Sequence, residues 1–170
     1  MDPDSSSTKI NFDYFSEKRI FEILNKMTSI AENLQGAGNK GGGCGCRVLS
    51  AIFVNKRFLN YGYNSLKSNP FQVKYGKNEQ SIYFHAETNA IKRAIDIIGY
   101  DNFIRSKITL FIVRVKKTPN SPNFIWGLSK PCKGCLRAII DMKVDNVIYS
   151  LDQDFSNKKD YNIMVNMNNF

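Results

Sequence analysis

The residues able to do chemistry are few, because this 170-residue chain has one His and four Cys. The His stands in His85-Ala86-Glu87, and two of the cysteines stand in Pro131-Cys132-Lys133-Gly134-Cys135. Cysteines at i and i+3 in the first turn of a helix point the same way and can share a tetrahedral ion, and a proline ahead of them suits a helix entry. With His85 as third ligand, an N, S, S set leaves the fourth position to water, the layout of a catalytic zinc site and not of a closed structural one. Zinc in such a site lowers the pKa of water from about 15.7 toward roughly 7. Glu87 is too close to His85 in sequence for comfortable ligation, but it is well placed to take and return a proton beside the open position. A thioredoxin-type redox pair is the competing reading of Cys132 and Cys135. Such a pair ordinarily comes after a first strand, and here it lies late in the chain with a histidine to match it.

The elements that position these groups are set by periodicity. Phe12, Phe15, Ile20, Ile23, Leu24, Met27, Ile30 and Leu34 recur at helical spacing and predict a helix over about Tyr14 to Leu34. Six glycines between Gly36 and Gly45 predict a loop. Val48 to Val54 and Phe58 to Tyr63 read as a hairpin turning at Asn55-Lys56-Arg57. Asn64 to Ser81 is polar, holds Pro70 and Gly76, and reads as a loop. Ala86 to Ile98 forms a second helix capped by Gly99. Ile108 to Val115 is a buried strand, Lys116 to Gly127 a long connection, Cys132 to Met142 a third helix and Val144 to Tyr149 a last strand. Alternating strands and helices predict an α/β fold in three layers, α/β/α, around a mixed central sheet. The expected organisation is a flexible N-terminus over 1–13, one domain over 14–151 and a C-terminal tail over 152–170 that adds a short helix or strand.

Composition narrows the function classes. Hydrophobic residues at 42% supply a real core, and 24 Lys+Arg against 15 Asp+Glu give a net charge of +9. The length excludes a large multidomain enzyme. Neither a secretory signal nor an apolar run of about 18 residues is present, so the expected protein is soluble and cytoplasmic (host cytoplasm if viral), with no membrane partner.

His-Ala-Glu and then Pro-Cys-x-x-Cys, each at the mouth of a helix, resembles the cytidine and deoxycytidylate deaminase superfamily, over roughly Arg47 to Ser150. The resemblance implies one Zn2+ held by His85, Cys132 and Cys135, with Glu87 as the catalytic proton shuttle. It implies that the backbone N–H of Ala86 grips the pyrimidine oxygen and that a carbonyl at Ser129 or Lys130 receives the amine. Tyr61-Gly62-Tyr63-Asn64 looks like the Gly-Tyr-Asn segment of deoxycytidylate deaminases, which makes Asn64 the sugar contact; the alternative is an ordinary turn residue. Asn69 to Lys77 is similar to a segment of phage-type dCMP deaminases, which points to dCMP, deaminated to dUMP for thymidylate synthesis, and to a homo-oligomer.

Forty-three residues separate Glu87 from Pro131, more than is usual in that superfamily, and the excess falls in Lys116 to Gly127. Cys44 and Cys46 read as small loop residues or as part of a second metal site. Lys67, Lys74 and Lys77 are expected near a substrate phosphate or on a solvated face. Two other functions stay open: a deaminase of cytosine or adenine in single-stranded nucleic acid, with Tyr75, Tyr83, Phe84 and Trp126 to stack a base, and a zinc-stabilised nucleotide-binding protein without turnover.

Overall fold

The strand Ile108–Lys117 runs through the middle of the protein and alternates its side chains between two apolar layers, with Ile108, Leu110 and Ile112 facing one and Phe111, Val113 and Val115 the other. The computed structural model describes residues 12–34, 47–76, 83–119, 122–153, 158–165 and 167. Their elements are α1 (Glu17–Glu32), β1 (Arg47–Val54), β2 (Arg57–Tyr63), α2 (Pro70–Tyr75), α3 (Ala86–Ile98), α4 (Tyr100–Arg105), β3 (Ile108–Lys117), β4 (Phe124–Gly127), α5 (Lys133–Asp141), β5 (Asn146–Ser150) and β6 (Tyr161–Met164). The Gly-rich segment with Cys44 and Cys46, Lys77 and the first eleven residues of the predicted flexible N-terminus lie outside the described residues.

The strands make one open sheet in the order β2-β1-β3-β5-β6, with β4 also paired to β3. β3 and β5 are parallel, Thr109 to Ile112 against Asn146 to Tyr149, and the other pairings are antiparallel. α1 lays Ile20, Ile23, Leu24, Met27 and Ala31 on one face. On the other face lie Ala90, Ile91 and Ala94 of α3, Phe103 of α4, and Ala138 and Ile139 of α5. This is the mixed-sheet, three-layer α/β/α arrangement that the sequence predicts, consistent with a cytidine deaminase-like domain. No helix among the described residues is long and apolar enough to cross a membrane.

Local chemistry sets the boundaries. α1 starts later than its apolar pattern because the Ser16 hydroxyl accepts from the Arg19 N–H at 3.2 Å and caps the helix. The preceding Phe15 packs edge-on against Phe53 and Phe111 instead. The β1–β2 turn places Asn55 and Lys56 at φ 47° and 68°, as a two-residue turn matched to strand twist requires. Asn55 is fixed there by donating its backbone N–H to the Lys107 carbonyl at 2.9 Å and by accepting from the Lys107 N–H at 3.1 Å through its side chain.

Three short elements depart from the sequence reading, and a fourth, β6, is the short helix or strand expected of the tail. Within the predicted loop, Asn69 caps α2 by accepting from the Phe71 N–H at 2.9 Å, with Pro70 opening the helix. Gly99, at φ 84°, ends α3 and at once precedes α4. The predicted connection before Gly127 returns as β4, and the tail contributes β6 to the sheet.

Candidate metal centre

β2 and β3 run in the same direction, with β1 antiparallel between them. α3 comes after β2, and the chain returning from β4 reaches α5 past the end of β5, which is parallel to β3, so both helices begin at the same edge of the sheet, where binding sites of such sheets lie. The lead into α3 is tied down by backbone bonds, Ser65 N–H to the Phe84 carbonyl at 3.0 Å and Phe84 N–H to the Lys67 carbonyl at 3.2 Å. The lead into α5 hangs from Ser129, whose hydroxyl donates to the Ile112 carbonyl at 2.9 Å and accepts from the Ser150 N–H at 2.9 Å. That one side chain bridges the middle of β3 and the end of β5 just ahead of the cysteine pair.

His85 occupies the N-cap of α3 without capping it through its side chain, and Cys132 occupies the N-cap of α5. Both are extended at the cap, with ψ 158° and 167°, which turns each side chain out ahead of its helix. Nδ1 of His85 lies 3.5 Å from Sγ of Cys132 and 3.3 Å from Sγ of Cys135, and the three ligand atoms fall within 4.8 Å of one another. A tetrahedral ion with Zn–S of about 2.3 Å and Zn–N of about 2.0–2.1 Å needs N···S edges of about 3.6 Å. The donor set and its spacing therefore fit one zinc ion. Cys135 is buried, His85 half-buried and Cys132 exposed, so the cluster is open on the Cys132 side.

The electrostatics suit the same purpose. Hydrogen bonds from Cys135 and from His85 hold the Cys132 thiol down to about 3, which favours the thiolate, the form that binds metal. The Cys135 thiol is pushed up by sharing its proton with Cys132 and by burial. Its proton must leave when metal enters. Cys132 beside the imidazole raises His85. Glu87, in the first turn of α3 and 7% exposed, is raised by burial and lies beside the Cys135 thiol. A carboxyl so raised holds its proton more readily than an ordinary one, as a group that gives and takes protons requires.

The other predicted residues surround this cluster unevenly. Asn64 comes directly after β2, half-buried, and its Oδ1 accepts from the Val48 N–H at 3.2 Å, which leaves its amide nitrogen for other partners. Ala86 is buried, and its carbonyl lies against Gly62. Ser129 is buried with its hydroxyl committed to β3 and β5, while Lys130 is exposed between it and α5. Lys67 and Lys74 are exposed. Trp126 requires a correction. It is fully buried on the α1 face, donating its indole N–H to the Thr28 hydroxyl at 2.8 Å, and cannot stack a base there. Tyr75 is buried as well, at 3% exposure, whereas Tyr83 is 46% exposed.

Sequence reasoning missed α2. Gln72, Tyr75 and Gly76 line a cleft of about 190 Å³ together with His85 and Cys132. The Asn69-Pro70 pair was the available signal, an N-cap with proline at the first helical position. No protein-family model and no curated protein sequence matches this chain.

Proposed function

We propose that this protein is a zinc-dependent hydrolytic deaminase of a cytosine nucleotide, with dCMP as substrate and dUMP and ammonia as products. The supporting observation is the His85, Cys132 and Cys135 cluster, with ligand atoms within 4.8 Å, next to the buried carboxyl of Glu87 at the shared edge of two helices. His85, Cys132 and Cys135 hold the ion. When bound, zinc supplies Lewis acidity and makes water nucleophilic near neutral pH.

The chain's own residues do the rest. Glu87 accepts a proton from the attacking water and delivers it to N3 of the pyrimidine as the new C4–O bond forms. It then carries a second proton to the exocyclic nitrogen, so that the C4–N bond breaks and ammonia leaves. The Ala86 N–H binds the pyrimidine oxygen, a carbonyl at Ser129 or Lys130 receives the amine, and Asn64 meets the sugar. The carboxyl must change protonation twice per turnover, and the burial that raises it suits that task.

One assay tests this. The zinc-loaded protein is incubated separately with dCMP, CMP, cytidine and a cytosine-containing oligonucleotide, and ammonia release and the ultraviolet change from cytosine to uracil are monitored. Turnover of dCMP supports the assignment. Turnover of the oligonucleotide alone transfers it to nucleic-acid editing, which the +9 charge would serve. Bound zinc with no turnover of any substrate leaves a nucleotide-binding protein.

A further inference from the structure

The backbone N–H of His85 donates to Oε1 of Gln72 at 3.1 Å, and the Thr88 hydroxyl donates to the same oxygen. A backbone N–H can only donate, so the amide of Gln72 is oriented without ambiguity. Thr88 stands at N3 of α3, where a capping box would carry Glu or Gln to reach back to the N-cap N–H. His85 cannot cap the helix with its own side chain while that side chain faces the two sulfurs. The missing oxygen comes instead from α2, a different helix. Gln72 is itself 1% exposed, so it has few other positions to adopt.

The same short helix also meets the cysteine pair. The Tyr75 carbonyl accepts from Nη2 of Arg137 on α5 at 3.0 Å. It lies so close to α5 that a Cβ added at Gly134 would stand 2.3 Å from the Tyr75 oxygen. Gly134 sits between Cys132 and Cys135 in sequence, and its missing side chain is what permits that approach. The middle of α2 thus holds the N-terminus that carries His85, and its C-terminal residue bears on the N-terminus that carries both sulfurs.

We propose that α2 is a strut that sets the spacing of the two ligand-bearing helix ends, with Gln72 and Gly134 as positioning residues for the metal. This inference rests on His85, Cys132 and Cys135 being a metal site. Partners behind metal ligands commonly change metal affinity by about 10–100-fold when lost, through ligand orientation and not through contact with the ion.

The test compares the full-length wild type with Gln72→Met, which keeps the volume and removes the oxygen, Gln72→Glu, which restores an acceptor, and Gly134→Ala. Zinc affinity is measured by competition with a chromophoric chelator, site geometry by the visible bands of the Co2+-loaded protein, and folding by thermal denaturation with chelator present. Gln72→Met should weaken zinc by about 10–100-fold and alter the Co2+ bands, Gln72→Glu should restore both, and Gly134→Ala should behave like Gln72→Met. Folded Gln72→Met protein with wild-type affinity and bands overturns the strut, because a merely structural glutamine would lower stability and leave the spectrum of the folded protein alone. If Gly134→Ala fails to fold, Gln72→Met decides. A wild type that binds neither metal stoichiometrically overturns the underlying site as well, an outcome distinct from equal binding by all four proteins.

Discussion

Gly62 offers the sharpest test of how the fold carries the site. It lies in β2 where the strand crosses the first turns of α3, and a Cβ built there would stand 2.2 Å from the Ala90 nitrogen and 2.6 Å from the Ala86 carbonyl oxygen. Ordinary van der Waals contact begins near 3.4 Å. In Gly62→Ala the helix must therefore retreat by about 1 Å, and since both obstacles are backbone, no rotamer change relieves them. Overpacking of this kind costs about 1–3 kcal/mol. At roughly 2–4 °C per kcal/mol for a chain of this size, a cost near the upper end lowers the melting temperature by about 5–10 °C. The larger effect should fall on the metal, because ligand distances tolerate only about 0.2 Å and α3 carries His85. Zinc affinity should drop at least tenfold (about 1.4 kcal/mol). Gly99→Ala is the control: it lies at the other end of α3, at φ 84° with no atom within 4 Å of its added Cβ. Its cost of about 1–3 kcal/mol comes from backbone strain alone, since φ 84° with ψ 151° is a conformation almost reserved for glycine. Thermal denaturation and chelator competition on the three proteins give both readouts. Native melting temperature and zinc affinity in Gly62→Ala, or equal loss of zinc in Gly99→Ala, would refute the reasoning.

Other expectations address the remaining parts of the molecule. Glu87→Gln should retain stoichiometric zinc by elemental analysis and lose about 10²–10⁴-fold in turnover, while Cys132→Ala should lose the zinc itself; surviving activity in the first or full occupancy in the second contradicts the assigned roles. Thr28→Val strands the indole N–H of Trp126, which now donates to Thr28 at 2.8 Å, and should cost about 1–3 kcal/mol, read in a urea titration by the fluorescence of the single tryptophan. Lys116, 2.8 Å away, holds the Asp152 carboxyl below its usual range, so the pair stabilises the fold above the unfolded pKa of about 3.9 and stops doing so as pH falls through the lower folded value. Both side chains are partly exposed, 35% and 58%, which limits the effect to less than about 1 kcal/mol. The stability gap between wild type and Asp152→Asn should therefore be small at neutral pH and vanish in acid, and a gap that widens on acidification would reverse the sign assigned here.

The long elements were legible because each repeats its pattern several times. α1, α3 and α5 each carry an apolar stripe on one face, and β1 and β3 each present apolar residues to both layers. Gly99 announced the end of α3 correctly but also admits α4, since a residue at positive φ redirects the chain without dictating whether a loop or another helix comes next. α2, β4 and β6 span four to six residues, too few for periodicity to speak, and their existence depends on partners distant in sequence. The site was legible as a pair of motifs, because ligand chemistry restricts residue type and spacing. The meeting of His85 with the two cysteines was expected from those motifs, but what brings it about was not legible, because it depends on β2 and β5 ending at the same edge of the sheet. Ser129 shows what the sequence did not offer: beside the carbonyl that the resemblance assigns to the amine, its hydroxyl joins the middle of β3 to the end of β5. Trp126 read as a base-stacking aromatic, and only the strand register of β4 reveals that it faces α1.

The pairing of β6 with β5 changes what the last stretch of the chain is for. β5, Asn-Val-Ile-Tyr-Ser, is buried along its whole length and carries no charge. Without Tyr161–Met164 beside it, its main-chain groups would form an open, apolar border of the kind that recruits strands from other molecules. Lys158, Lys159 and Asp160 stand exposed just ahead of β6, as charged gatekeepers beside a sticky strand do. A shortened form ending near Leu151, where the sequence pattern alone would place the domain boundary, should keep the metal ligands and yet aggregate. Aggregation of that shortened form with its metal still bound would separate the duty of β6 from that of the metal ligands.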